Sequence, residues 1–202
     1  MKGLNKVIFK TALKTVLAVI IAFILALIIL CFGFPRTTAD ICQSFGNYSL
    51  AASFSSLNYK YYGDVDDLYA CANYSILSKD DKKIISYCKQ FADDERFEDY
   101  CADKDGVKQW VLSNLSAAQY RRGDKEGALK TAESSLAGSN GFPSGNAVVS
   151  LTIEVGKAMD KQTATALKEF LDGADVVPSA DEQATFDNVT KILTTVINHQ
   201  GE

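Results

Sequence analysis

The sequence has little of what interrupts helices and little of what performs chemistry. Only three prolines (Pro35, Pro143 and Pro178) occur in 202 residues, and none falls inside an apolar pattern of helical period, so nothing forces a break within a helix. No stretch alternates polar and apolar residues with period two, which argues against a sheet. The single histidine, His199, stands three residues from the end, where it is not anchored for a Ser–His–Asp or Cys–His device. There is no Cys-x-x-Cys or His-x-x-x-His pair of the kind that holds zinc. The run Asp93-Asp94-Glu95 with Glu98 and Asp99 lacks the alternating ligands and central glycine of a calcium loop. The glycine-rich segment GSNGFPSG at 138–145 is not followed by the Lys-Ser/Thr of a phosphate cradle. These absences lead us to expect a non-catalytic protein with no cofactor and no metal.

What is present begins with residues 16–34, VLAVIIAFILALIILCFGF, nineteen residues without a charged side chain. At ~1.5 Å per residue this is roughly 28 Å of helix, close to the ~30 Å hydrocarbon core of a bilayer. Basic residues are clustered here. Lys2, Lys6, Lys10, Lys14 and Arg36 precede Asp40 with no acidic residue among them, and the rest of the chain holds every one of the 25 Asp and Glu. An acidic domain without a basic tract does not suit nucleic acid. Four lysines before the span and one arginine after it place the N-terminus in the cytoplasm and the domain outside the plasma membrane. The lysines recur every four residues and on a helix would form one stripe. The apolar run is longer than a signal-peptide core, so we expect a retained anchor; cleavage after Ala39 is the alternative.

Beyond Pro35 the chain reads as successive helices. Ile41, Phe45, Tyr48, Ala52 and Leu57 trace one face of a first helix ending at Gly63. Asp64 caps a second with Leu68, Cys71, Ala72 and Ser75, and Ile84, Ile85, Cys88 and Phe91 mark a third. A short segment with Phe97, Tyr100 and Cys101 precedes the clearest hairpin. In it Val107, Trp110, Val111, Leu115 and Ala118 lead to Gly123-Asp124, and Ala128, Leu129, Ala132 and Leu136 form the return. Val148 to Ala158 and Ala164 to Leu171 make another pair, turned at Met159-Asp160. Ser179-Ala180-Asp181-Glu182 reads as the capping box of a final helix.

The run LSAAQYRRGDKEGALKTAESSL at 115–136 resembles a tetratricopeptide repeat, with an aromatic near the end of the first helix, Gly-Asp at the turn and small residues at fixed offsets in the second. Tyr59-Lys60-Tyr61-Tyr62-Gly63-Asp64 followed by Leu68, Ala72 and Ile76 is similar. Asp64, Asp94, Asp124 and Asp160 stand 30, 30 and 36 residues apart, near that family's period of ~34. The expected fold is therefore all-α: a transmembrane helix (16–34) behind a basic tail (1–15), then an α-α-hairpin solenoid (40–175) and a capping helix with its tail (179–202). About eight or nine helices should follow the span. The segment 79–105 is the shortest unit of the series. The resemblance implies binding of protein or peptide partners along a groove, without catalysis. The layout is similar to that of envelope proteins carrying an exported tetratricopeptide domain on one N-terminal span.

Two groups of residues stand out in this frame. Cys71, Cys88 and Cys101 fall at one level of adjacent helices, roughly 8–11 Å from the turn. Either Cys71–Cys88 or Cys88–Cys101 is then bridged, or all three are small reduced packing residues; Cys42 lies too far along its helix to join them. Tyr59, Tyr61, Tyr62, Tyr69 and Tyr74 form a dense aromatic cluster that suits a partner surface, with part of it used in packing between helices. The expectation for function is a membrane-anchored scaffold, with the bilayer as partner through 16–34 and a protein or peptide as partner of the domain. The alternatives are an envelope module that forms homo-oligomers, or a secreted binding factor after cleavage at Ala39.

Overall fold

The computed structural model describes residues 2–137, 139, 141–143 and 145–199; the side chains of 2–9, Lys2 and Lys6 among them, lie outside that description. Among the described residues there are eleven helices and no strand. Helix α1 (Lys2–Gly33) includes the apolar run up to Gly33 and the lysine tail from Lys2. It is followed by α2 (Pro35–Ser44), α3 (Tyr48–Tyr62), α4 (Val65–Ser78), α5 (Asp81–Ala92) and the short α6 (Phe97–Ala102). The hairpins α7 (Val107–Arg121)/α8 (Lys125–Leu136) and α9 (Ala147–Ala158)/α10 (Lys161–Gly173) come next, and α11 (Gln183–Asn198) closes the chain.

Local chemistry explains most boundaries. Asp64, Asp80, Asp124 and Asp160 each accept a backbone N–H in the first turn of α4, α5, α8 and α10, which satisfies donors a helix start leaves free. Two boundaries correct the sequence reading. The stretch from Ile41 to Gly63 is not one helix, because Gly46 adopts φ +71° and Asn47 then caps α3 by accepting from Leu50 N at 3.2 Å. Ten helices therefore follow α1 rather than eight or nine, and Ile41 and Phe45 end up exposed instead of joining the core. The capping box at 179–182 forms only in half. Ser179 N donates to Glu182 Oε2 at 2.8 Å, yet α11 starts after Glu182, with no side-chain cap. The same carboxylate accepts from Phe142 N at 3.2 Å, which ties α11 to the long loop before α9.

Each helix packs its apolar stripe against its neighbours: α2 on α3, α3 on α4, α4 on α5, α5 on α7, and α7 on both α8 and α9. The resulting core is continuous from Leu68 through Phe91, Leu115 and Leu151 to Leu193. Helix directions show the layering. Lys83 near the start of α5 donates to Ser49 and Ser53 near the start of α3, so α3 and α5 run parallel. Arg121 at the end of α7 pairs with Asp81 at the start of α5, so these two are antiparallel. One layer thus contains α4, α7, α9 and α11, and the other α3, α5, α8 and α10. The six-residue α6 is too short to form a layer helix of its own. It folds over the end of α5, where Phe97 and Tyr100 meet Phe91 edge-on at 5.0 and 5.4 Å between ring centres.

Candidate functional site

The first feature is α1 and its exit. From Lys10 to Gly33 it is long and apolar enough to cross a membrane, and the helical domain buries none of it. Its described lysines, Lys10 and Lys14, are exposed. Pro35 cannot donate to the carbonyl four residues earlier, so α1 stops and a single residue, Phe34, joins it to α2. Thr38 Oγ1 then donates to Phe34 O at 3.0 Å and to Leu30 O at 2.9 Å. Eight residues of straight helix rise ~12 Å, which keeps the carbonyl eight residues back beyond hydrogen-bond reach, so this contact requires a sharp bend, with Thr38 on its inner side. On the opposite side of α2, Arg36 reaches Asp64 (4.0 Å) and Asp67 (3.9 Å) at the start of α4. Gln43 accepts from Tyr74 Oη of α4 at 2.6 Å, and buried Asp67 accepts from Asn58 Nδ2 at 2.6 Å. The joint is fastened by polar contacts on both faces.

The tyrosine cluster divides. Tyr74 is buried beneath α2, and Tyr69 packs on Phe91 and Tyr100 at 5.7 and 5.5 Å. Tyr59 donates to Asp94 Oδ2 at 3.3 Å. Only Tyr61 and Tyr62 stand on the surface, Tyr62 with 71% exposure, edge to face at 6.3 Å. The structure does not gather the five into one surface.

Cys71, Cys88 and Cys101 are free thiols, as are Cys31 and Cys42. Burial pushes Cys71 and Cys88 up to about 12 and Cys101 up to about 11, well above an ordinary thiol. Cys88 is enclosed in the core, its Sγ directed at Ala72 O at 4.0 Å. No group of three or more His, Cys, Asp or Glu is placed to hold a metal among the described residues.

The second feature lies outside the two groups that the sequence singles out. Between α7 and α9 runs an open groove of about 470 Å³, lined by Gln109, Trp110, Asn114, Ala117, Ser150, Ile153 and Glu154. It shares Ile153 with a second groove of about 380 Å³ between α9 and α11, where Thr152, Met159, Asn188, Lys191 and Ile192 contribute. Gly156 brings α9 and α11 close, since a Cβ there would meet Ile192 at 3.1 Å. The sequence pattern sets Trp110 in the apolar stripe of α7, but the residue is 42% exposed, with Nε1 donating to Asn73 Oδ1 of α4 at 3.2 Å. Ile153 is exposed on the same groove, and Met159 is exposed in the second one. Glu154, which lines the first groove, pairs with Arg121 at 3.5 Å, and Arg121 is bonded in turn to Asp81 at 2.6 Å. Thr152, fully buried on the wall of the second groove, has an Oγ1 without a hydrogen-bond partner among the described residues. The overlooked signal lies beside the core stripe Val111–Leu115–Ala118. Trp110, Asn114, Ala117 and Arg121 fall on one adjacent face and mix an aromatic with a carboxamide and a cation. No protein-family model, curated protein or solved structure matches the chain.

Proposed function

We propose that the protein is a single-pass membrane-anchored helical scaffold that binds a peptide segment of a partner protein in the α7–α9–α11 groove, on the extracytoplasmic side. The observation that carries this reading is an exposed aromatic and aliphatic pair, Trp110 and Ile153, in a groove rimmed by carboxamides. That combination suits a peptide, because the apolar pair buries a side chain while Asn114 and Gln109 can satisfy its backbone. Support for the anchor comes from an α1 that the domain leaves bare and whose lysines precede the apolar run. The tetratricopeptide-like reading of the repeat belongs to the same proposal. It is supported by Tyr59 bonding to Asp94 and Tyr120 bonding to Asp160, each at a turn about one repeat later.

The test is capture of partners from native membranes with a photo-crosslinker at Asn114, repeated with Trp110→Ala and Ile153→Glu. Loss of the same crosslinked band in both variants is expected, reflecting a roughly tenfold or greater weakening for a central aromatic. An unchanged band would remove the groove. Topology is read separately with an impermeant thiol reagent on intact cells, using Ala184→Cys on exposed α11; labelling only after lysis would reverse the orientation.

A further inference from the structure

We propose that α2 lies in the bilayer interface, with Ile41 and Phe45 set among the lipid headgroups and upper acyl chains. This rests on the reading of α1 as a membrane span. At 100° per residue, Thr38 and Ile41 of α2 share one face with the flanking caps Phe34 and Phe45, while Arg36, Asp40 and Gln43 share the opposite face. The Thr38 hydroxyl on Leu30 O turns the first face towards α1, so it looks back along the span. On that face α1 covers Thr38, whereas Phe34 and Ile41 are exposed and Phe45 is bare at 85%. Cys42, beside Thr38 on the same wheel, has its thiol raised by burial and by nearby Cys31 of α1, as the bend requires.

The other face is occupied by the domain, through Arg36 on Asp64 and Asp67 and through Gln43 on Tyr74. A helix whose polar face holds its own protein and whose uncharged apolar face continues from a span has the composition of an interfacial segment. Phe45, useless to the core, then has a partner. Because that face carries no charge, the contact does not depend on the charge of the headgroups.

Full-length protein carrying Trp110→Phe, and so free of its native indole, is reconstituted in phosphatidylcholine vesicles, with and without lipid brominated near the top of the acyl chain. On this background Phe45→Trp should emit at shorter wavelength than an aqueous indole and lose at least half its emission to the shallow bromines, equally when anionic lipid is added. Phe23→Trp in mid-span should be quenched by bromines near the chain end, and Ala184→Trp on α11 by neither. Should the indole at position 45 remain unquenched while the one at position 23 is quenched, the interfacial placement is wrong although the span stands. A blue-shifted but unquenched indole at position 45 would likewise overturn it and assign the face to a protein contact. If the mid-span indole is also unquenched, the membrane reading itself fails.

Discussion

Two tyrosine hydroxyls reach across to aspartates of a later turn, Tyr59 to Asp94 and Tyr120 to Asp160. In each case a cation joins them. Arg96 bonds Asp94 through Nε and Nη2 at 2.8 Å, and this pair holds the Asp94 carboxyl down at about 2. Burial of Asp160 would raise its carboxyl, but Lys125 Nζ at 2.7 Å, the Thr163 hydroxyl and amide, and Tyr120 outweigh it and bring it to about 2 as well. Both groups have folded values below the unfolded value of ~3.9. Their contribution is therefore complete above pH ~4 and is lost as pH falls through about 2. Asp160→Asn keeps a cap for α10 but loses the ion pair. It should cost about 1–2 kcal/mol at neutral pH and flatten the acid limb between pH ~4 and ~2, read by urea unfolding across that range. An acid limb as steep as the parent's would show that Asp160 contributes nothing.

At the scale of elements, the helices with a strong local stop and start are legible in the sequence. Gly123-Asp124, Asp64 and Asp160 give their turns directly, because a left-handed glycine and an aspartate cap act within four residues. Gly46-Asn47 carries the same kind of signal. It is masked because Ile41, Phe45, Tyr48 and Ala52 keep helical spacing across the break, so periodicity and turn chemistry disagree and the turn wins. The box at 179–182 fails for a tertiary reason, since Glu182 also serves Phe142 in another loop. That loop is held by its aromatic. Phe142 is fully buried and meets Phe186 edge-on at 5.2 Å. Phe142→Ala should cost about 3–5 kcal/mol and loosen α11 from α9; a melting temperature within about a degree or two of the parent's would count against this anchoring role.

For the whole molecule, the segment 79–105 is decisive. A full second helix there would have returned the chain to the layer of α3. With only the six-residue α6, α7 runs antiparallel to α5 and enters the other layer, so the two Tyr–Asp bonds of like sequence lie in opposite layers. The spacing of the turn aspartates gives no sign of this inversion, which follows from the length of one helix and its packing on Phe91. The groove is illegible for a similar reason: a stripe such as Trp110–Asn114–Ala117 becomes a wall only once α9 is seen to leave it uncovered. The main core threads both layers, so opening should be cooperative. Cys71 and Cys88, buried and raised to about 12, should resist a maleimide in the native protein and become labelled together along the global urea transition, as counted by mass spectrometry. Labelling of either before that transition would show that α4–α5 opens separately.

The joint between α1 and α2 is one residue long, and this has a consequence for encounter. A domain on a flexible tether samples a volume whose size grows with tether length. Here Phe34 alone separates α1 from α2, and Thr38 and Arg36 fasten the joint on either side. In the proposed membrane setting the groove would therefore be carried at a fixed height, and its search would be two-dimensional. Partners residing in or on the same bilayer would meet it by lateral diffusion at a concentration set by area. A freely diffusing peptide would gain no such advantage.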